Sequence, residues 1–132
     1  TMGLMRNLTA GEIVEQVLFI KRMLHTDESK DIFSLNEDNR TLTNIVFMGM
    51  GEPLLNYDNV QKAVEILSTG VEISAKRITL STAGIIDKIR QMADEQSRTK
   101  LAISLHSLDE TIRTLLMPIT KKYFSERITC RC

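Results

Sequence analysis

Apolar and polar positions alternate between two periods along the chain. Behind Thr9-Ala10-Gly11-Glu12, the residues Ile13, Val17, Ile20 and Leu24 recur at helical spacing, with Val14 and Leu18 beside them. Thr9 and Glu12 have the spacing of a capping box: the hydroxyl accepts from a free backbone amide and the carboxylate reaches back to the cap. The helix is expected to fade near His25, which suits the negative end of a helix dipole. Residues 27–40 are polar and charged, with Ile32, Phe33 and Leu35 as brief anchors, and read as a surface loop. Asn44-Ile45-Val46-Phe47-Met48 is a continuous apolar run, as expected of a strand buried on both faces. Asp58 is placed to cap a second helix, with Val60, Ala63, Val64 and Leu67 inward and Gly70 stopping it. Arg77-Ile78-Thr79-Leu80-Ser81 reads as a second strand. A third helix follows from Ile85, with Ile86, Ile89, Met92 and Ala93 on one side, and Leu101-Ala102-Ile103-Ser104-Leu105 reads as a third strand. Ser107-Leu108-Asp109-Glu110 has the form of another capping box. It opens a short helix carrying Ile112, Leu115 and Leu116, which Pro118 ends.

Strand–helix alternation implies parallel strands joined by right-handed crossovers. An open doubly wound sheet and a (β/α) barrel both satisfy it, and the pattern does not choose between them. Three strands can neither close a barrel nor cover the edges of an open sheet. The chain therefore reads as a segment of a larger α/β structure, and self-association through exposed sheet edges is expected.

Composition narrows the function classes. The 132 residues suffice for one domain with a modest core, softened by seven methionines and no tryptophan. Lys plus Arg equals Asp plus Glu at 17 each, which argues against nucleic-acid binding by bulk electrostatics alone. The pairs Lys76-Arg77 and Lys121-Lys122 read as solvated surface. No apolar stretch approaches membrane-spanning length, and residues 1–6 lack the form of a signal peptide. Cys130 and Cys132 stand too close for a good structural disulfide and are too few for a metal site. They read as free thiols in a reducing cytosol.

In parallel α/β structures, ligands lie at the carboxyl ends of the strands. Here those ends read Gly49-Met50-Gly51-Glu52-Pro53, Ser81-Thr82-Ala83-Gly84 and Ser104-Leu105-His106-Ser107. Together they bring glycine backbone, one carboxylate, several hydroxyls and an imidazole to one rim. That set suits a polar small molecule with an ammonium group, which the carboxylate can accept in a charge-assisted hydrogen bond. Each feature also has a plainer reading. The glycines before Glu52 can serve only a tight turn, Glu52 can be a solvated loop charge, Ser81 and Thr82 can cap the next helix, and His106 can be a satisfied strand-end histidine. Convergence on one rim favours the functional reading. Neither a dinucleotide fingerprint nor a phosphate-loop lysine motif is present.

The same residues carry a family resemblance. Met48-Gly49-Met50-Gly51-Glu52-Pro53-Leu54-Leu55-Asn56 resembles the signature of radical S-adenosylmethionine (SAM) methyltransferases that modify carbon 2 of an adenine in large-subunit ribosomal RNA and in some transfer RNAs. Relatives that act on carbon 8 fit less well. Arg6-Asn7-Leu8-Thr9-Ala10-Gly11-Glu12-Ile13, Ser81-Thr82-Ala83-Gly84, Leu101-Ala102-Ile103-Ser104-Leu105-His106 and Leu116-Met117-Pro118-Ile119 look like further family blocks in the right order. The resemblance implies a partial (β/α) barrel of the radical SAM type, TIM-like, with about three parallel strands and four helices. It implies that Gly51 and Glu52 bind S-adenosylmethionine, with Glu52 near its amino group. Ser81, Ser104, Leu105 and His106 would line the same site. In the family, two molecules of the cofactor serve. One methylates a cysteine, and the other is cleaved at a [4Fe–4S] cluster to the radical that activates this methyl group.

Departures from the family pattern set further expectations. The Cys-x-x-x-Cys-x-x-Cys motif that holds the cluster belongs before Thr1, and the methyl-carrying cysteine belongs downstream, so no catalytic or metal ligand is assigned within the chain. Thr120 stands where an asparagine is usual. Residues 1–123 read as a fragment of the barrel, and residues 124–132 as an off-pattern tail. The chain is expected to be a fragment of a cytoplasmic RNA methyltransferase, inactive by itself, with rRNA and tRNA as partners of the whole enzyme and no membrane. A non-catalytic binding or assembly module and an unrelated (β/α) enzyme with an anionic ligand are the alternatives.

Overall fold

The computed structural model describes residues 5–26, 42–48, 50–119 and 121. The loop expected at 27–40 and the tail expected at 124–132 lie outside them, as do Gly49 and Thr120.

Helix α1 (Ala10–Thr26) begins on the capping box foreseen in the sequence. The Glu12 amide donates to Thr9 Oγ1 at 3.3 Å, and the Thr9 amide donates to Glu12 Oε2 at 2.9 Å. Arg6 adds a forked contact on the same carboxylate, at 2.8 and 2.5 Å. These bonds, that from Arg6 foremost, hold the Glu12 carboxyl down at about 2. The segment before α1 is tied to the rest of the fold by asparagines: Asn56 donates to the Leu8 carbonyl at 2.8 Å, and Asn59 accepts from the Ala10 amide at 3.2 Å.

Strand β1 (Ile45–Phe47) leads to a 3₁₀ turn (Pro53–Asn56) that runs directly into α2 (Tyr57–Thr69). The helix start differs from the sequence expectation. Pro53 fixes the first turn, Glu52 caps it, and the chain is already helical when it reaches Asp58. Asp58 therefore sits in the first turn, where its charge suits the dipole, and Asn56 occupies the cap position. Gly70 ends α2, its amide donating to Ile66 O at 2.8 Å. The chain continues through β2 (Ile78–Thr82), α3 (Ile86–Asp94), β3 (Lys100–Ile103) and α4 (Glu110–Leu116). The cap of α4 is Asp109, which accepts from the Ile112 amide at 2.9 Å, whereas Ser107 accepts from Asp109. The acidic side chain nearer the helix takes the amide, and the serine braces the turn before it.

The strands are parallel, in the order β1-β2-β3. Residues from both α2 and α3 pack on the same side of the sheet, where Leu54, Ala63, Leu67, Ile78, Leu80 and Met92 share one core. Strands added in sequence order with their crossover helices on one face form the arc of a singly wound barrel. A doubly wound sheet would need a reversal of strand order, and none occurs among the described residues.

One expectation about burial is corrected. β1 is not buried on both faces: Val46 is 54% exposed. It shares register with Thr79, so it points away from the helices, to a face that nothing covers among the described residues. In α4, Ile112, Leu115 and Leu116 are exposed and Arg113 is buried, because the helix turns its arginine toward the strand ends. The edge strands expose Val46 and Ile103, the kind of surface self-association needs, but nothing in the structure shows that a second copy covers them.

Candidate functional site

The three strand ends meet at one cavity of about 630 Å³, within the range of roughly 300–1,000 Å³ common for small-molecule sites. Its lining includes Gly51 and Glu52 after β1, Ser81 and Thr82 at the end of β2, and Ser104 and His106 after β3. Met48 and Met50 add apolar wall, and Arg6 and Asn7 reach it from the segment before α1. Leu105 is not part of the lining; its carbonyl takes part instead, as described below.

Glu52 joins the first strand end to the second. Its Oε1 accepts from the Leu54 amide at 3.0 Å and from the Thr82 hydroxyl at 2.7 Å. Its Oε2 accepts from the Ala83 amide at 2.6 Å. A carboxylate offers about four acceptor directions, so among the described residues Oε1 is filled and Oε2 retains one. Glu52 is thus neither a solvated loop charge nor fully consumed by the fold. Gly51 has φ +123°, a backbone state that side chains rarely adopt, and a Cβ there would meet nothing within 4 Å. The glycine is required by its backbone, and the space beside it is open.

Thr82 does not cap the next helix, whose N-cap is Ile85 without a side-chain bond. It is 2% exposed, donates to Glu52 and accepts from the Gly84 amide at 3.0 Å. Arg113 joins the second strand end to the third. It donates to the Ala83 carbonyl at 2.5 Å and to the Leu105 carbonyl at 3.1 Å. The Leu105 carbonyl also accepts from the Ser107 amide at 2.7 Å, around His106 at φ +57°. This is a γ-turn of the positive-φ kind, rare and strained. It leaves His106 exposed on the rim. Ala83 is therefore bound twice, by Glu52 through its amide and by Arg113 through its carbonyl.

Comparison with known proteins agrees with this architecture. The family model described as "Radical SAM superfamily" matches residues 2–130. The chain belongs to the radical SAM superfamily. It is 53% identical over 121 residues to a probable dual-specificity RNA methyltransferase RlmN of Flavobacterium psychrophilum, covering 90% of this chain and 32% of that protein. It is 49% identical to the dual-specificity RNA methyltransferase RlmN of Helicobacter pylori strain G27, covering 92% of this chain and 31% of that protein. The crystal structure of a radical SAM methyltransferase from Sphaerobacter thermophilus superposes with a TM-score of 0.78 at 44% identity, over 92% of this chain and 33% of that one. The chain thus spans about a third of the length of these relatives. Membership sets aside the reading as an unrelated (β/α) enzyme.

The radical SAM family implies S-adenosylmethionine and a [4Fe–4S] cluster in general. The cavity fits the first. An open carboxylate acceptor suits an ammonium, hydroxyls suit a ribose or carboxylate, and methionines suit an adenine face. For the cluster the described residues offer no holder: none of their His, Cys, Asp and Glu side chains form a group of three able to bind a metal ion. Cys130 and Cys132 lie outside the described residues.

Proposed function

We propose that the cavity at the strand ends is the S-adenosylmethionine site of a radical SAM RNA methyltransferase that acts on carbon 2 of adenine in large-subunit rRNA and tRNA. The observation that carries this reading is Glu52, which lines the cavity with one acceptor direction of Oε2 unfilled. That direction takes the ammonium of the cofactor's amino-acid chain. Gly51 lets the backbone come close to the same chain. Ser81 and Ser104 offer hydroxyls from adjacent strands, and His106 is held out on the rim by its turn. Leu105 contributes through its carbonyl, which anchors that turn.

The cofactor, when bound, supplies the methyl group. The residues of this chain bind and orient it, and the described residues form no metal-binding group for a cluster. RNA is the proposed partner, as the names of the relatives suggest for those proteins. No helix of the described residues is long and apolar enough to cross a membrane, and the cytoplasm is the proposed location.

Titration calorimetry tests the site. S-adenosylmethionine is expected to bind the chain and inorganic phosphate is not. Binding of phosphate without S-adenosylmethionine would overturn the proposal.

A further inference from the structure

Within that cofactor reading, on which this step rests, we infer that Thr82 is the positioning residue that aims the Glu52 carboxylate at the ligand's ammonium. A hydroxyl has one proton to give and two lone pairs. The Gly84 amide, which can only donate, occupies one lone pair of Thr82 Oγ1 at 3.0 Å. The single proton is thereby directed to Glu52 Oε1 at 2.7 Å. With the Leu54 amide on the same oxygen, Oε1 is saturated and the carboxylate cannot rotate without breaking two bonds. Ala83 then holds Oε2 at 2.6 Å, and no other described residue donates to that oxygen of a side chain that lines the cavity, which leaves it an acceptor direction for a ligand. Thr82 acts on the ligand through Glu52, and the residue itself is only 2% exposed.

The consequence is specific. Loss of the hydroxyl should weaken recognition of the amino group and leave recognition of the rest of the cofactor intact. The readout is the ratio of two dissociation constants, for S-adenosylmethionine and for an analogue that lacks only the amino group, measured by calorimetry on the full chain. The wild type is expected to favour the natural ligand by about tenfold, the scale of one hydrogen bond to a charged group. In Thr82→Val, which keeps the shape, the ratio should collapse toward one, and Thr82→Ser should restore it. A general loosening of the fold would weaken both ligands and leave the ratio alone. An unchanged ratio in Thr82→Val, or no rescue by Thr82→Ser, overturns the inference while the cofactor site stands. A wild type that binds neither ligand overturns the cofactor reading and the inference with it. Should Thr82→Val fail to fold, the wild type still decides. Its Thr82 hydroxyl proton, donated to Glu52 from a buried residue, should give a slowly exchanging resonance that moves with S-adenosylmethionine and not with the analogue. Equal movement, or none, overturns the inference.

Discussion

The two faces of the three-stranded sheet are built on opposite terms. Toward the helices, Ile78 and Leu80 have no exposed surface and meet Leu54, Ala63 and Leu67, which have none either. On the other face Val46 is half exposed, and its neighbours Thr79 and Ser81 in β2 are polar. The helix side is packed by apolar contact, and at the strand ends hydrogen bonds tie the loops around the cavity. On the proposed reading, stability rests on the helix side and ligand recognition on the strand ends. At the rim, Glu52, Thr82, Ala83 and Arg113 link the three loops in sequence.

The largest contrast should come from paired truncations in the sheet. Leu80→Ala opens a cavity in a sealed core and is expected to cost about 2–5 kcal/mol, whereas Val46→Ala should cost only about 0.5 kcal/mol. Urea denaturation of both variants measures the difference, and equal costs would erase the distinction between the faces. A smaller effect is expected from the rim. Arg113→Met leaves the carbonyls of Ala83 and Leu105 without the guanidinium that serves them, at about 1–3 kcal/mol in unfolding free energy. A neutral result would mean that the loops hold themselves.

The smallest effect lies at the entry to α1, away from both faces. The Glu12 carboxyl is depressed from 4.5 to about 2 in the folded chain. The unfolded chain thus binds more protons between those values, and the contribution of Glu12 is complete above pH 4.5 and fades as pH falls toward 2. Glu12→Gln should lower the urea midpoint slightly at pH 7 and by clearly less near pH 2. A difference of undiminished size at the acid end would contradict this pairing.

Much of this division was legible in the sequence. Helical spacing located α1, α2 and α3, the apolar runs located the strands, and Thr9 with Glu12 marked the start of α1. The meeting of Gly51, Glu52, Ser81, Ser104 and His106 at one cavity follows from parallel strands alone, since each lies just past or at a strand end. What periodicity could not convey was partnership. Nothing local marks Thr82 as the donor to a carboxylate thirty residues earlier, or Arg113 as buried between exposed apolar neighbours. Those roles come from register and helix rotation, which are tertiary. The exposure of Val46 escapes the sequence for the same reason: the apolar run at 44–48 looks alike whether one face or two are covered.

The central claim is that the three strand ends form one S-adenosylmethionine site. Amide chemical shifts of the isotopically labelled chain, followed during addition of S-adenosylmethionine, test it most directly. The account predicts perturbation at Gly51, Ala83, Ser104 and His106 together, with Ala63 and Leu67 inside α2 unmoved. Shifts confined to one strand end, or centred on α2, would contradict it.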